Sequence, residues 1–210
     1  MKRLAIIGSG DLGQQIAYHA TQDNQFTVVG FFDDFKNRGV LVNDIPILGG
    51  LSDVSSQFKK GIFDELLIGI GYKHMMFRSD VFNKFKAEIP FAKLIHSNCL
   101  IDPSCIIQAG VVIYPGCIVD QNVNIGENVL VNVGCCIAHD SKIGKHSFLS
   151  PRVAIAGFVT IENSCIIGIN ATIIDNIKIV QQVQIGGGSI VIKNIEKAGL
   201  YVGNPARFIR

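Results

Sequence analysis

Over residues 95–196 the chain repeats one pattern of apolar and polar positions seventeen times without insertion. The first residue of each hexad is a branched aliphatic (Ile95, Ile101, Ile107, Ile113 and onward to Val191). The fifth is small or apolar and never charged (Cys99, Cys105, Val111, Cys117, through Ala171 and Val183 to Ile195). Two inward positions in six suit one flat side of a prism. A six-residue period predicts a β-solenoid, in which each coil buries its apolar side by stacking on the next. The fourth position is Gly, Asn or Asp in eleven of the seventeen hexads, Gly110, Gly116, Asn122, Asn128, Gly134 and Asp140 among them. These residues tolerate the positive φ of a tight corner. Three sides close a coil of 18 residues, so residues 18 apart should stack at about 4.8 Å. The period does not set handedness; parallel crossovers in general are right-handed.

The first ninety residues follow a different pattern. An apolar run at residues 3–8 predicts a strand, followed by Ser9-Gly10-Asp11-Leu12-Gly13 and a helix to about Asp23. A second strand, Phe26–Phe32, ends in Asp33-Asp34; a third, at 65–70, runs into Gly71 and precedes a helix near 75–88. Alternation of strand and helix predicts a βαβαβ unit, half of a doubly wound nucleotide-binding fold. The expected organisation is therefore an α/β domain over residues 1–90 and an all-β solenoid domain over 91–210, joined through residues 90–96.

Composition narrows the function classes. With 210 residues and 48% hydrophobic content the chain can bury a sizeable core. A net charge of +2 from scattered Lys and Arg gives no nucleic-acid signature. The apolar run before the first glycines is too short for a signal peptide or membrane span, so a cytoplasmic protein without membrane attachment is expected. Five of six cysteines occupy the fifth hexad position and read as core fillers in a reducing compartment. Cys136 alone falls outside that register.

Gly8-x-Gly10-x-x-Gly13 fits a phosphate-binding turn, with Asp33 about 20 residues on where a ribose-binding acid would sit. A plain strand-to-helix turn explains the same glycines equally well. About 90 residues supply one mononucleotide half, so a single nucleotide moiety fits better than a dinucleotide. In the solenoid, His139 is third in its hexad and points away from the core, where an imidazole can act as a general base near pH 7. Gly157 lies one coil further on the same corner, and its backbone N–H could bind an oxyanion. Asp140 could orient the imidazole or serve only as a corner residue. His139, His146 and His96 do not make a zinc site, because the third is more than two coils away.

The chain resembles a family of bacterial sugar acyltransferases that includes UDP-N-acetylbacillosamine N-acetyltransferase, GDP-perosamine N-acetyltransferase and the sialic-acid O-acetyltransferase group. The resemblance is carried by Gly8, Gly10 and Gly13, by Phe32-Asp33-Asp34, by Ile70-Gly71, and by the segment from Asn132 through His139-Asp140 to Gly144. It continues through Ala156-Gly157, Gly186-Gly187-Gly188 and the terminal Val202-Gly203-Asn204-Pro205-Ala206-Arg207. It implies a left-handed parallel β-helix and a homotrimer with each site between two solenoids. It further implies acetyl-CoA as cosubstrate, no metal, His139 as the base and Asp140 as the group that raises its basicity. Gly157, the residue at 148, Gly187 and Gly188 would contact the acyl donor. Gly10, Asp11, Leu12, Asp33, Asp34 and Gly71 would hold the nucleotide-linked sugar. Two positions depart from the family: Phe148 and Leu12 stand where relatives commonly carry histidines. The activity so implied is N-acetylation of a UDP- or dTDP-linked 4-amino-4,6-dideoxy sugar for surface glycan synthesis. The alternatives are O-acetylation of a sugar hydroxyl, or a solenoid that binds without catalysing.

Overall fold

In a computed structural model, which describes residues 1–210, the chain divides into two compact units, Met1–Leu94 and Ile95–Arg210. Residues 91–94 fall with the first unit, where Phe91 bridges Leu66.

The first unit runs β1 (Lys2–Ile7), α1 (Asp11–Gln22), β2 (Phe26–Phe32), β3 (Leu41–Val42), β4 (Ile45–Gly49), α2 (Val54–Lys59), β5 (Glu65–Ile68) and α3 (Met75–Phe85). The strands order as β3-β4-β2-β1-β5, all parallel except the β3–β4 pair. Leu4, Ala5, Ile6 and Ile7 are all buried, as are Phe31, Phe32, Leu66 and Leu67, the continuous apolar runs of a parallel sheet covered on both faces. The expected βαβαβ order omitted the β3–β4 hairpin and α2. The hairpin's signal is Asn43-Asp44, both at positive φ (48° and 63°), the conformation of a two-residue turn that matches strand twist. β5 ends at Ile68 rather than Ile70; Gly69 N–H still donates to Ile7 O (2.7 Å), and the residue then packs against the glycine turn. A Cβ on Gly69 would lie 2.4 Å from Gly13 Cα.

The second unit is a coil of short strands, most of two residues, in three sheets of six, five and eight strands. We name the faces by one strand each. The Leu100 face carries Leu100–Ile101, Ile118–Val119 and Cys136–Ile137; the Ile106 face carries Ile106–Ile107, Asn124–Ile125 and Lys142–Ile143; the Val112 face carries Val112–Ile113, Leu130–Val131 and Phe148–Leu149. Pairing along the coils is parallel and in register at 18 residues, Ile118 lying between Leu100 and Cys136. The terminal strands depart from this: Gly199–Val202 pairs with Val183–Ile185 at 16 residues, and Arg207–Phe208 runs antiparallel to Gly199–Val202. Coils are joined by backbone hydrogen bonds such as Ile118 N–H to Cys135 O (2.9 Å) on the faces and Asp140 N–H to Gln121 O (3.0 Å) at the corners. The first- and fifth-position side chains form one continuous buried core. Cys99, Cys117 and Cys135 stack in one column of it; the Cys117 thiol is pushed up to about 12, the neighbouring Cys135 thiol being the first cause, which keeps it protonated. Serines in the fifth position bury a hydroxyl without penalty: Ser141 Oγ donates to Ala156 O (3.0 Å) and accepts from Val159 N–H (3.2 Å).

Fourteen consecutive fourth positions, from Gly110 to Gly188, have positive φ. The corner geometry is therefore uniform even where the residue is neither Gly, Asn nor Asp, as at His146, Arg152, Phe158, Ser164 and Gln182. Each bulky side chain there costs about 1–2 kcal/mol of backbone strain, which the stacked coils on either side offset.

Candidate active site

His139 lies where the Leu100 face turns into the Ile106 face. Its Nδ1 is 3.0 Å from Asp140 Oδ2. A carboxylate oxygen only accepts, so this contact assigns the proton to Nδ1 and leaves the Nε2 lone pair free, the tautomer a general base requires. The other Asp140 oxygen, Oδ1, accepts from Asn122 Nδ2 at 3.2 Å, one coil earlier on the same corner. Both carboxylate oxygens are thus held, and with them the ring orientation. The pair is half-exposed, at 40% and 34% for the two side chains.

The next coil forms the far wall of this corner. A Cβ on Gly157 would lie 2.7 Å from His139 Cε1 and 2.9 Å from Nε2, so the imidazole occupies space that only glycine leaves open. The Gly157 carbonyl is used by Asn176 N–H (3.0 Å), while its amide forms no backbone hydrogen bond. A free N–H beside a base with a free lone pair can polarise a carbonyl while the base takes a proton from a nucleophile. Phe158 follows, its ring edge-on to the imidazole at 5.1 Å and 87°.

Other residues expected at a donor site lie on different edges of the prism within one chain. Gly187 and Gly188 stand at the corner between the Val112 and Leu100 faces. Phe148 is a buried strand residue of the Val112 face, paired with Leu130 and Ile166. His146 turns the third corner at φ 62°, nearly buried, with its Nδ1 3.0 Å from Asn128 Nδ2. No group of three or more His, Cys, Asp or Glu side chains is placed to hold a metal ion.

In the first unit the glycine turn is set by close backbone approach. A Cβ on Gly13 would lie 1.9 Å from Gly8 O, whereas around Gly10 the space is open. Gly10 caps α1, whose first-turn amides have no intrahelical acceptors and face the turn with Asp11 and Leu12. Asp33 closes the turn from β2: its Oδ2 accepts from Ser9 N–H (3.0 Å) and Ser9 Oγ (2.5 Å), and its Oδ1 from Phe35 N–H (2.9 Å). Burial raises the Asp33 carboxyl, but hydrogen bonds from the Ser9 hydroxyl and the Phe35 and Ser9 amides, with the Lys36 charge, outweigh it and hold the group below its ordinary value. Asp34 Oδ1 accepts from Leu51 N–H (2.7 Å). Gly71 precedes a short 3₁₀ turn, Tyr72–His74, and is unobstructed. A cavity of about 460 Å³ lies elsewhere in this unit, lined by Tyr18, Phe26, Val28, Asn43 and Ile45.

Three residues at these two places were not anticipated. Asn122 precedes Asp140 by 18 residues, the same one-coil offset, taken backward, that stacks Gly157 on His139. Phe158 is the one apolar residue in the positive-φ corner column. Lys36, with Nζ 2.8 Å from Ser9 Oγ, adds a positive charge to the glycine turn, and no motif marked it.

Residues 3–85 match the family model of the PglD N-terminal domain. The whole chain is similar in structure to the acetyltransferase domain of PglB from Neisseria gonorrhoeae (24% identity, TM-score 0.91, 100% of each chain). It is also similar to PerB from Caulobacter crescentus, solved with CoA and GDP-perosamine (22% identity, TM-score 0.91, 99% of this chain and 97% of that one). A third similar structure is WeeI from Acinetobacter baumannii (22% identity, TM-score 0.87, 100% of each chain). These likenesses establish the fold class: a Rossmann-like unit followed by a left-handed parallel β-helix of hexapeptide repeats. The resemblance to nucleotide-sugar acetyltransferases read from the motifs is the one these comparisons find. No helix is long and apolar enough to cross a membrane.

Proposed function

We propose that this protein is an acetyl-CoA-dependent N-acetyltransferase acting on a nucleotide-linked 4-amino-4,6-dideoxy sugar for surface glycan synthesis. The observation that carries the reading is the His139 corner: a base with its Nε2 free, a carboxylate orienting Nδ1, and a glycine packed against the ring whose amide forms no backbone hydrogen bond. PglB of Neisseria gonorrhoeae has been solved with acetyl coenzyme A, and PerB with CoA and GDP-perosamine, which supports the donor and the acceptor class.

In the proposed mechanism Nε2 of His139 takes a proton from the sugar amine as its nitrogen attacks the thioester carbonyl. The imidazolium that forms is stabilised by Asp140 and held by Asn122 through it. The Gly157 amide hydrogen-bonds to the oxyanion of the tetrahedral intermediate. Collapse expels the CoA thiolate, which takes up the proton held by His139, leaving the amide and CoA. Gly187, Gly188 and Phe148 are assigned to the donor. Because they lie on other edges of the prism, the reading requires a neighbouring subunit to bring them to the corner, and a homotrimer meets that need. The amides at Gly10, Asp11 and Leu12, with Asp33, Asp34 and Gly71, are assigned to the nucleotide. A cytoplasmic location belongs to the same reading, because it uses acetyl-CoA as donor.

A coupled CoA-release assay over UDP-, dTDP- and GDP-linked amino sugars tests the reading. Turnover with at least one amino sugar and none with the matching hydroxyl sugar is expected. Turnover with hydroxyl acceptors alone would replace it by O-acetylation. No turnover with any acceptor, despite acetyl-CoA binding, would leave a binding protein.

A further inference from the structure

Phe158 is chosen against every local preference of the fold. Of fourteen consecutive corners at positive φ, thirteen carry Gly or a polar residue, and Phe158 alone is apolar. Left-handed backbone disfavours a bulky side chain, which gains nothing there that Gly or Asn would not supply. Nor is the ring recovered by the core: it is 55% exposed. Its one aromatic contact is with His139, perpendicular at 5.1 Å, which leaves most of the ring surface open beside the base. Strained residues cluster at sites where a ligand uses them, and an exposed aromatic next to a catalytic group can anchor an apolar surface.

We propose that Phe158 determines acceptor specificity by receiving the apolar face of the sugar, the C–H groups of its ring and its deoxy carbon, so that the amine meets Nε2 of His139. The proposal rests on the N-acetyltransferase reading above. The acceptor is favoured over the donor for two reasons. The donor's reacting carbonyl is directed to Gly157, and the Phe158 amide is already spent on His139 O (3.1 Å), so this residue offers a ligand only its ring. A dideoxy sugar presents hydrocarbon where a fully hydroxylated one presents groups that the ring would strip of water.

The test compares Phe158→Gly, Phe158→Asn and Phe158→Tyr in the full-length protein, with acetyl-CoA and the nucleotide-linked 4-amino-4,6-dideoxy sugar that the wild type turns over best. Gly and Asn suit the corner, so their melting temperatures should equal or exceed the wild type's. Their kcat/KM for the acceptor should fall about 10- to 100-fold, chiefly through KM, with KM for acetyl-CoA within about twofold. Tyr, which keeps the ring, should restore acceptor KM to within about threefold. An unchanged acceptor KM in the Gly variant, a rise confined to the acetyl-CoA KM, or a loss of thermal stability that tracks the loss of activity would overturn the assignment while leaving the transferase reading intact. A wild-type protein that acetylates no nucleotide amino sugar would overturn both.

Discussion

The glycine turn of the first unit and the His139 corner of the solenoid are built from similar parts, a carboxylate, a glycine and a polar partner, yet they differ in what remains open. At the turn the protein already uses the carboxylates itself: Asp33 accepts three hydrogen bonds from Ser9 and Phe35, and Asp34 ties down Leu51. At the corner both oxygens of the Asp140 carboxylate are likewise engaged, by His139 and Asn122, but Nε2 of the imidazole it orients and the amide of neighbouring Gly157 have no hydrogen bond from the protein. Fully engaged polar groups hold a shape, whereas groups held by others and left open on one side are prepared for a substrate. On that contrast, substitutions at the corner should cost chemistry and substitutions at the turn should cost stability first.

The largest effect is expected at the base. His139→Ala should lower kcat by about 10² to 10⁴, with acetyl-CoA affinity by calorimetry nearly unchanged and the melting temperature maintained. Activity within about threefold of wild type would remove the corner's claim to the chemistry. Gly157→Ala comes next. The new methyl group must displace the imidazole from its place against residue 157, and kcat should fall about 10- to 100-fold. A crystal structure of the variant should show the ring rotated away from Asp140.

The turn should answer differently. Asp33→Asn should destabilise the protein by about 1–3 kcal/mol at pH 7, because hydrogen bonds to a charged acceptor are weakened. The Asp33 carboxyl is lowered in the folded state, so its contribution is complete above the ordinary value of 3.8 and is lost as pH falls through the lowered one. Urea unfolding over a pH series should therefore show a gap between wild type and variant that is full at pH 7 and narrows as pH falls below 3.8. No gap at pH 7 with nucleotide binding abolished would mean that Asp33 serves the ligand alone and not also the turn.

The smallest effect is expected at His146. Its ring is spent on Asn128 at a corner away from His139. His146→Ala should leave kcat within about threefold and cost about 1 kcal/mol of stability. A large fall in kcat at constant stability would join this corner to the active site through another subunit.

Much of this protein was legible in its sequence. The solenoid and its 18-residue stacking follow from a period that no insertion interrupts, because in a coil of fixed circumference each residue's neighbours are set by counting. The same counting put Gly157 beside His139 and, applied in the other direction, reaches Asn122. Sequence also identified Gly8 and Gly13 as a tight turn, though not that Gly13 is required by the carbonyl of Gly8 and that Gly69 packs on Gly13 in turn. What counting cannot supply is how a side chain divides its bonding capacity among partners. Asp33 and Asp140 follow equally suggestive motifs, yet one carboxylate fastens its own loop and the other orients a histidine. Likewise, the uniform positive φ at residues as unsuited to it as Phe158 comes from the coils above and below, which impose the corner whatever residue occupies it. Periodicity is a property of the chain and survives in its sequence; partner choice and imposed conformation are properties of the packed neighbourhood, so only the tertiary structure decides them.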